Sequence, residues 1–521
     1  MSKSRTTNTI YNFATGIVGQ FIAILMQFIV RTVFIQTLGK SYLGINGLFS
    51  NILSMLSLAE LGVGSAILFK LYDPLAKNNK ARISVLMKFY KTVYMWIGII
   101  VTIIGVLLIP FLHYMINDYD KLETLGINAV IIYLLYLLQS VSSYLFFAYK
   151  SAIIRADQKE YKLNIVSYIF TIATTVSQII LLKIVSNFEI YITISVVFVI
   201  LQNIVNAHIA NKDYPYLKEK TEQKIEKKEI KEIFKDCFAI FLYKINGVVL
   251  KATDNIIISS VIGLEMVGMY SNYYILYTTI RTIFAKVFDS VIHSIGNLHA
   301  VDEAEHEYTV FKSVNFISVI IGATAGVGIF CISDNFVKTW IGDEWVLLQP
   351  FSLLMGIEIY ILAITSFLSK YRSAMGLFQQ AKYRPLASML INLVVSFVLV
   401  KYWGVCGVLV GTIVSSVLTI MWYEPVIIHK YGLKNKFPVR NYFIKNAFFA
   451  IVLTGAGAIN YIVSRYVYAG HGWISIGIHA VVCCVTVPLI FILAFIKTEE
   501  GKYTLGLAQT EIKKVIAKVK R

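Results

Sequence analysis

The sequence predicts an all-α polytopic membrane protein of about fourteen spans. Three observations carry this. The 521 residues are 57% hydrophobic and only 15% charged, whereas a soluble chain carries about 25% charge. Apolar runs of about twenty residues, enough to cross a bilayer, recur along nearly the whole length. Lys and Arg concentrate in alternate loops, the signature of membrane topology.

The first six spans start near Ile10, Tyr42, Phe89, Leu125, Asn164 and Ile190. The first run, Ile10 to Phe34, is too long for a signal h-region and lacks a cleavage site, so it reads as a retained span. A polar stretch, Asn211 to Asp236, follows the sixth. Spans seven to twelve start near Cys237, Gly268, Val310, Phe351, Pro385 and Val405, and two more near Asn446 and Ile474. The expected organisation is an N-lobe over 1–210, a charged cytoplasmic linker helix over 211–236, and a C-lobe over 237–430. Spans thirteen and fourteen occupy 431–497, and a basic tail 498–521. Linker and tail both read as solvated or membrane-surface helices with a thin apolar edge.

The net charge of +18 would suggest nucleic acid on a soluble protein. Here topology absorbs most of it. With the N-terminus inside, about 37 of the basic residues are cytoplasmic, about 6 outside and about 5 within spans. Inner loops carry Lys77, Lys80, Arg82 and Lys88, then Lys150, Arg155, Lys159 and Lys162. Outer loops are short and often acidic, as at Asp118, Asp120 and Glu123. Both termini are therefore expected in the cytoplasm, and no nucleic-acid partner is expected.

Six spans before the linker and six after it give both halves the same orientation, a parallel repeat. GKSYLG (Gly39–Gly44) follows span one and GLEMVG (Gly263–Gly268) follows span seven. The offset between these turns pairs Gln20 with Lys244, Gln27 with Lys251 and Arg31 with Asn255. A 7-then-4 spacing holds each trio on one helical face.

A charge at mid-bilayer costs about 2.5–3.5 kcal/mol on insertion scales, so such residues face a cavity or a partner. The basic candidates are Arg31, Lys244, Lys251, Arg281 and Lys286. The acidic ones are Glu60, Asp254, Asp289 and Glu358. Lys251 with Asp254, and Lys286 with Asp289, are i,i+3 pairs that can neutralise each other. Glu60 and Glu358 lack a local base, and are either paired across helices or sites of Na+ or H+ coupling. Arg31 and Arg281 have a second reading as snorkelling residues. His293 is either a satisfied interior histidine or part of a proton relay. With local pairs cancelled, Arg31, Lys244 and Arg281 leave a positive bias suited to an anion such as phosphate. Tyr270, Tyr273, Tyr274 and Tyr277 are either an interfacial belt or a lining for a sugar.

Chemistry-bearing motifs are missing. Cys237, Cys331, Cys406, Cys483 and Cys484 make no metal-ligand spacing, and no metal site or cofactor is expected. Gly39, Lys40 and Ser41 look like the end of a P-loop, but Phe34 stands at its first glycine. There is no HExxH or GxSxG, and no enzymatic activity is expected.

The segment RTVFIQTLGKSYLGINGLFSNILSMLSLAELGVGSAI (Arg31 to Ile67) resembles the polysaccharide (oligosaccharide-lipid, Wzx-like) flippases of the multidrug/oligosaccharidyl-lipid/polysaccharide exporter superfamily. The charged linker, the second G-x4-G turn and the fourteen-span layout fit it too. The resemblance implies a MATE-like fold, with two pseudo-symmetric six-helix lobes facing each other across a cavity and two C-terminal helices. It implies alternating access that moves undecaprenyl-pyrophosphate-linked oligosaccharide repeat units from the inner to the outer leaflet of the bacterial plasma membrane, for capsular or exo-polysaccharide assembly. Cavity bases, Arg31, Lys244, Lys251, Arg281 and Lys286, would hold the pyrophosphate, with Gln20, Gln27 and Asn255 as a polar stripe. Expected partners are the lipid-linked oligosaccharide, membrane lipids, and the polymerase and glycosyltransferases of the pathway; the expected state is a monomer. An ion-coupled multidrug exporter and a membrane polysaccharide polymerase are the alternatives.

Overall fold

The computed structural model describes residues 5–60, 63–117, 119–124, 126–219, 225–301, 304–347, 349–377, 379–466, 472–506 and 509, with backbone alone over 5–10, 239–252 and 289–301 and at 13, 14, 17, 58, 59, 65, 66, 121, 123, 124, 236, 349, 465 and 466. Among the described residues all regular structure is helical. The chain forms two compact units, Met1–Gly268 and Met269–Arg521.

The first unit holds α1 (Arg5–Leu38), α2 (Lys40–Leu56), α3 (Val63–Ala76), α4 (Lys80–Leu107), the short α5 (Leu112–Met115) and α6 (Tyr119–Thr124), α7 (Ala129–Leu145), α8 (Ser151–Ala156), α9 (Glu160–Val185), α10 (Phe188–Asp213) and α11 (Lys227–Val261). Asparagines start three of these helices where the apolar pattern begins. Asn79, Asn128 and Asn187 accept from the backbone N–H of Arg82, Ile131 and Ile190, at 3.0, 3.1 and 2.9 Å. Each such cap is worth about 1 kcal/mol. Helix α4 exposes Ile99, Ile100, Ile103, Ile104 and Leu107 on one side. An apolar stripe of that size suits a lipid-facing surface.

The second unit takes most of α12 (Leu264–Val301), then α13 (Ala304–Ile341), α14 (Gln349–Ala374), α15 (Arg384–Trp403), α16 (Val405–Ser416), α17 (Trp422–Ile427), α18 (Val439–Tyr466) and α19 (Trp473–Phe495). Its centre is the α13–α14 pair. Gly322 and Gly326 stand one turn apart on α13, and a Cβ on Gly326 would lie 2.5 Å from the Gly356 carbonyl oxygen of α14. Small residues at this spacing let two helix backbones touch, which drives helix association in lipid. Two π-helical turns, Val417–Met421 and Ile428–Gly432, flank α17 and its Pro425.

This is a multi-pass membrane protein. Among the described residues ten helices are long and apolar enough to cross a membrane, or eleven with the bent pair Ala129–Leu145 and Ala148–Ala156. The other expected spans fall on α2 and α3, which a 3-10 turn at Ser57–Glu60 interrupts, and on α11 and α12, which are longer but carry charges. The first ten residues of α11 occupy the expected linker, so from Lys227 onward linker and seventh span are one helix. Ile233 is buried there and Glu229 pairs with Arg82. The basic end of the tail, 510–521, lies outside the described residues.

Candidate functional site

Both repeat turns open on a glycine at positive φ. Gly39 and Gly263 have φ of 86° and 130°, a region nearly closed to residues with a Cβ. The turns also touch each other reciprocally within the first unit. A Cβ on Gly44 would overlap the Leu264 carbonyl oxygen, and one on Gly268 would come within 2.7 Å of the Lys40 carbonyl oxygen. Lys40 and Leu264 occupy equivalent places in the two turns, so the contact has local two-fold character.

The helices before these turns are continuous. Helix α1 carries Gln20, Gln27 and Arg31, and α11 carries Lys244, Lys251 and Asn255, so each trio shares one face by helical geometry. Arg31 is half-buried and in electrostatic contact with Tyr191 of α10. Tyr191 in turn packs edge-on to Phe34, one turn beyond Arg31. Gln20 is half-buried and Gln27 exposed. Asp254 and Asn255 are buried, and the Asn255 Oδ1 has no hydrogen-bond partner among the described residues. The side chains of Lys244, Lys251, Asp289 and His293 lie outside the described residues.

The two acids without a local base both find partners on other helices. Glu60, at the break between α2 and α3, accepts from the Tyr94 hydroxyl of α4 and is in electrostatic contact with Tyr144 of α7. The Tyr90 and Tyr94 rings pack edge to face at 4.4 Å beside it. In the second unit Glu358 of α14 is buried beside Tyr277 and in electrostatic contact with Arg281. Arg281 is exposed, as is Lys286. A count of charges along single helices could not see that Glu358 lies near Arg281.

The tyrosines of α12 form neither a belt nor an open lining. Tyr270, Tyr273 and Tyr277 are buried, with Tyr274 stacked between Tyr270 and Tyr277 at 5.7 and 5.5 Å. The Tyr273 hydroxyl donates to Asp334 at 2.8 Å and accepts from the Leu347 N–H at 3.2 Å.

One cluster was missed at the sequence level. Glu424 of α17 is fully buried and bridges two guanidiniums. Its carboxylate lies 2.7 Å from Arg372 Nε, at the end of α14, and 3.3 Å from Arg384 Nε, at the start of α15. Both arginines sit at span ends, where a base reads as a topology signal. A lone Glu in WYEPVI was the visible cue.

The family described as polysaccharide biosynthesis protein matches residues 37–350, more than half of the chain. No curated protein is close enough in sequence to count as a relative. Among solved structures, the fold is similar to that of the lipid II flippase MurJ in an inward closed conformation. The TM-score is 0.67 at 14% identity, covering 92% of this chain and 98% of that one. It is similar also to an inward-facing multidrug resistance MATE family transporter of the MOP superfamily, with TM-score 0.60, 12% identity and coverage of 80% and 96%. A third is a mutant of the Vibrio cholerae MATE transporter VcmN, with TM-score 0.51, 14% identity and coverage of 82% and 99%. At these identities the likeness is one of fold. The matched segment takes in both G-x4-G turns and the helices between them, and on that match the chain belongs to the polysaccharide biosynthesis protein family.

Proposed function

We propose that the protein is a flippase, not an enzyme, that carries undecaprenyl-pyrophosphate-linked oligosaccharide units from the inner to the outer leaflet by alternating access. The observation that carries this reading is Arg31. It sits inside an apolar membrane helix, within the segment that resembles the flippases, on one face with Gln20 and Gln27. In this reading Arg31, Lys244, Lys251, Arg281 and Lys286 hold the pyrophosphate, and the products feed capsule or exopolysaccharide assembly. The protein works as a monomer in the bacterial plasma membrane with both termini cytoplasmic. It hands its cargo to the polymerase, downstream of the glycosyltransferases. Residues 1–210 and 237–430 act as the two lobes, joined by 211–236. The family and the MurJ-like fold support the reading.

Arg31→Ala is expected to cut surface polysaccharide about tenfold, the loss of one charge-assisted phosphate contact, while protein level in the membrane stays normal. Lys244→Ala should act likewise. Wild-type export in both variants would refute the assignment.

Transport in this reading draws on a Na+ or H+ gradient through an acid among Glu60, Asp254, Asp289 and Glu358. Glu358→Gln is expected to abolish the gradient dependence of flipping in proteoliposomes; a variant still driven by the gradient excludes Glu358 as the coupling residue. Burial of Glu358 also favours a second reading, an ion-coupled multidrug exporter. Unchanged sensitivity of a deletion strain to a panel of cationic dyes would remove it.

A further inference from the structure

Within the first unit, the Glu60 cluster opens onto a cavity of about 510 Å³. Its walls come from the break after α2, from α3, α4, α7 and α8, and from α10. The α10 contribution is unusual. In an apolar helix, Gln202 and Asn206 lie one turn apart and both line the cavity, beside Asn203. Amides at membrane depth are costly unless they face a cavity or a partner. Asn206 is 6% exposed, and its Oδ1 has no hydrogen-bond partner among the described residues. An acceptor left so has lost its water without a replacement, which a hydroxyl donor from a ligand would supply.

The lining specifies the ligand's chemistry. Glu60 offers a carboxylate and Arg155, which also lies 3.7 Å from Glu160, a guanidinium, so the cavity holds no surplus of bases. That does not suit a pyrophosphate, which needs a surplus of bases. Volume argues against a bare cation, which wants oxygens closed tightly around it; this cavity is the size of a small-molecule site, about 300–1,000 Å³. Amides that both donate and accept, a carboxylate acceptor, a guanidinium donor and the Tyr90 and Tyr94 rings together match a neutral, polyhydroxylated ring with an apolar face.

We propose that this cavity is a glycan subsite that takes one or two sugar residues of the lipid-linked cargo. It rests on the flippase reading and adds to it a place, apart from the phosphate-binding bases, where the sugar is recognised.

The test measures binding of two lipids to the full-length protein in nanodiscs by native mass spectrometry. One is undecaprenyl pyrophosphate; the other is the glycan-bearing lipid fraction extracted from the source cells. Gln202→Ala and Asn206→Leu, which keeps the volume and removes the amide acceptor, are the variants, with thermal unfolding as a check that each is folded. Both should weaken binding of the glycan-bearing lipid about tenfold, one hydrogen-bonded contact's worth, and leave undecaprenyl pyrophosphate binding unchanged. Equal loss for both lipids, or no loss for either, would overturn the subsite alone. If the wild type binds neither lipid, the flippase reading falls, and the subsite with it.

Discussion

Replacing Glu424 with alanine is expected to destabilise the second unit by about 3–5 kcal/mol, the usual cost of breaking a buried ion pair from one side. Glu424 is fully buried, and the side chains of Arg372 and Arg384 are 2% and 9% exposed. Removing the carboxylate takes away the counter-charge that the two guanidiniums share. Arg372 keeps its bond to the Leu377 carbonyl at 2.9 Å, but that dipole does not neutralise it. The triad also ties three chain segments, the end of α14, the start of α15 and α17 between its π-helical turns. Losing it should free the α17 segment first. Thermal unfolding in detergent and the yield of folded protein in the membrane would show the effect. A triple variant separates charge from packing: changing all three residues to methionine should recover most of the loss, because a buried triad contributes little net stability over apolar side chains of similar volume. A Glu424→Ala protein as stable as the wild type would show that water reaches the guanidiniums.

The legible part of this molecule was its long-period pattern. Apolar runs report membrane spans directly, since the bilayer admits few alternatives for the backbone, and each expected span coincides with a helix or a broken helix. The equivalence of Gly39 with Gly263 was readable because glycine at a turn reports a backbone conformation. Contacts between helices were not readable. Periodicity tells which residues share a face of one helix, and nothing about which helix lies opposite. Glu60 therefore looked solitary, although Tyr94 and Tyr144 hold it, and Glu358 looked solitary although Arg281 and Tyr277 face it. The aromatic run in α12 looked interfacial for the same reason, because composition does not report that Tyr273 is bonded to Asp334. Arg372 and Glu424 were hidden differently. Near a span end, the topology rule explains any base, so a structural arginine leaves no residual signal.

The reciprocal turn contact makes an unusually specific prediction. Gly44→Val and Gly268→Val should each destabilise the first unit, by about 1–3 kcal/mol on the scale of overpacked sites. The obstacle in each case is a backbone carbonyl oxygen of the opposite turn, which cannot rotate away as a side chain can. The two effects should not add. Once one valine has pushed the turns apart, the second meets less resistance, so the double variant should cost clearly less than the sum. A coupling of about 0.5–3 kcal/mol is typical of residues in contact. Gly39→Val and Gly263→Val give the contrast. No atom lies within 4 Å of a Cβ at either position, so their cost is backbone strain at positive φ, local to each turn. Those two penalties should add. Unfolding midpoints of the four single and two double variants, measured in one detergent, decide the matter. Additive costs at Gly44 and Gly268 would mean that the two turns do not bear on each other. Coupling there, with additivity at Gly39 and Gly263, would establish that the turns built from the repeated motif stabilise the unit by packing against each other, and that their glycines are kept for two separate physical reasons.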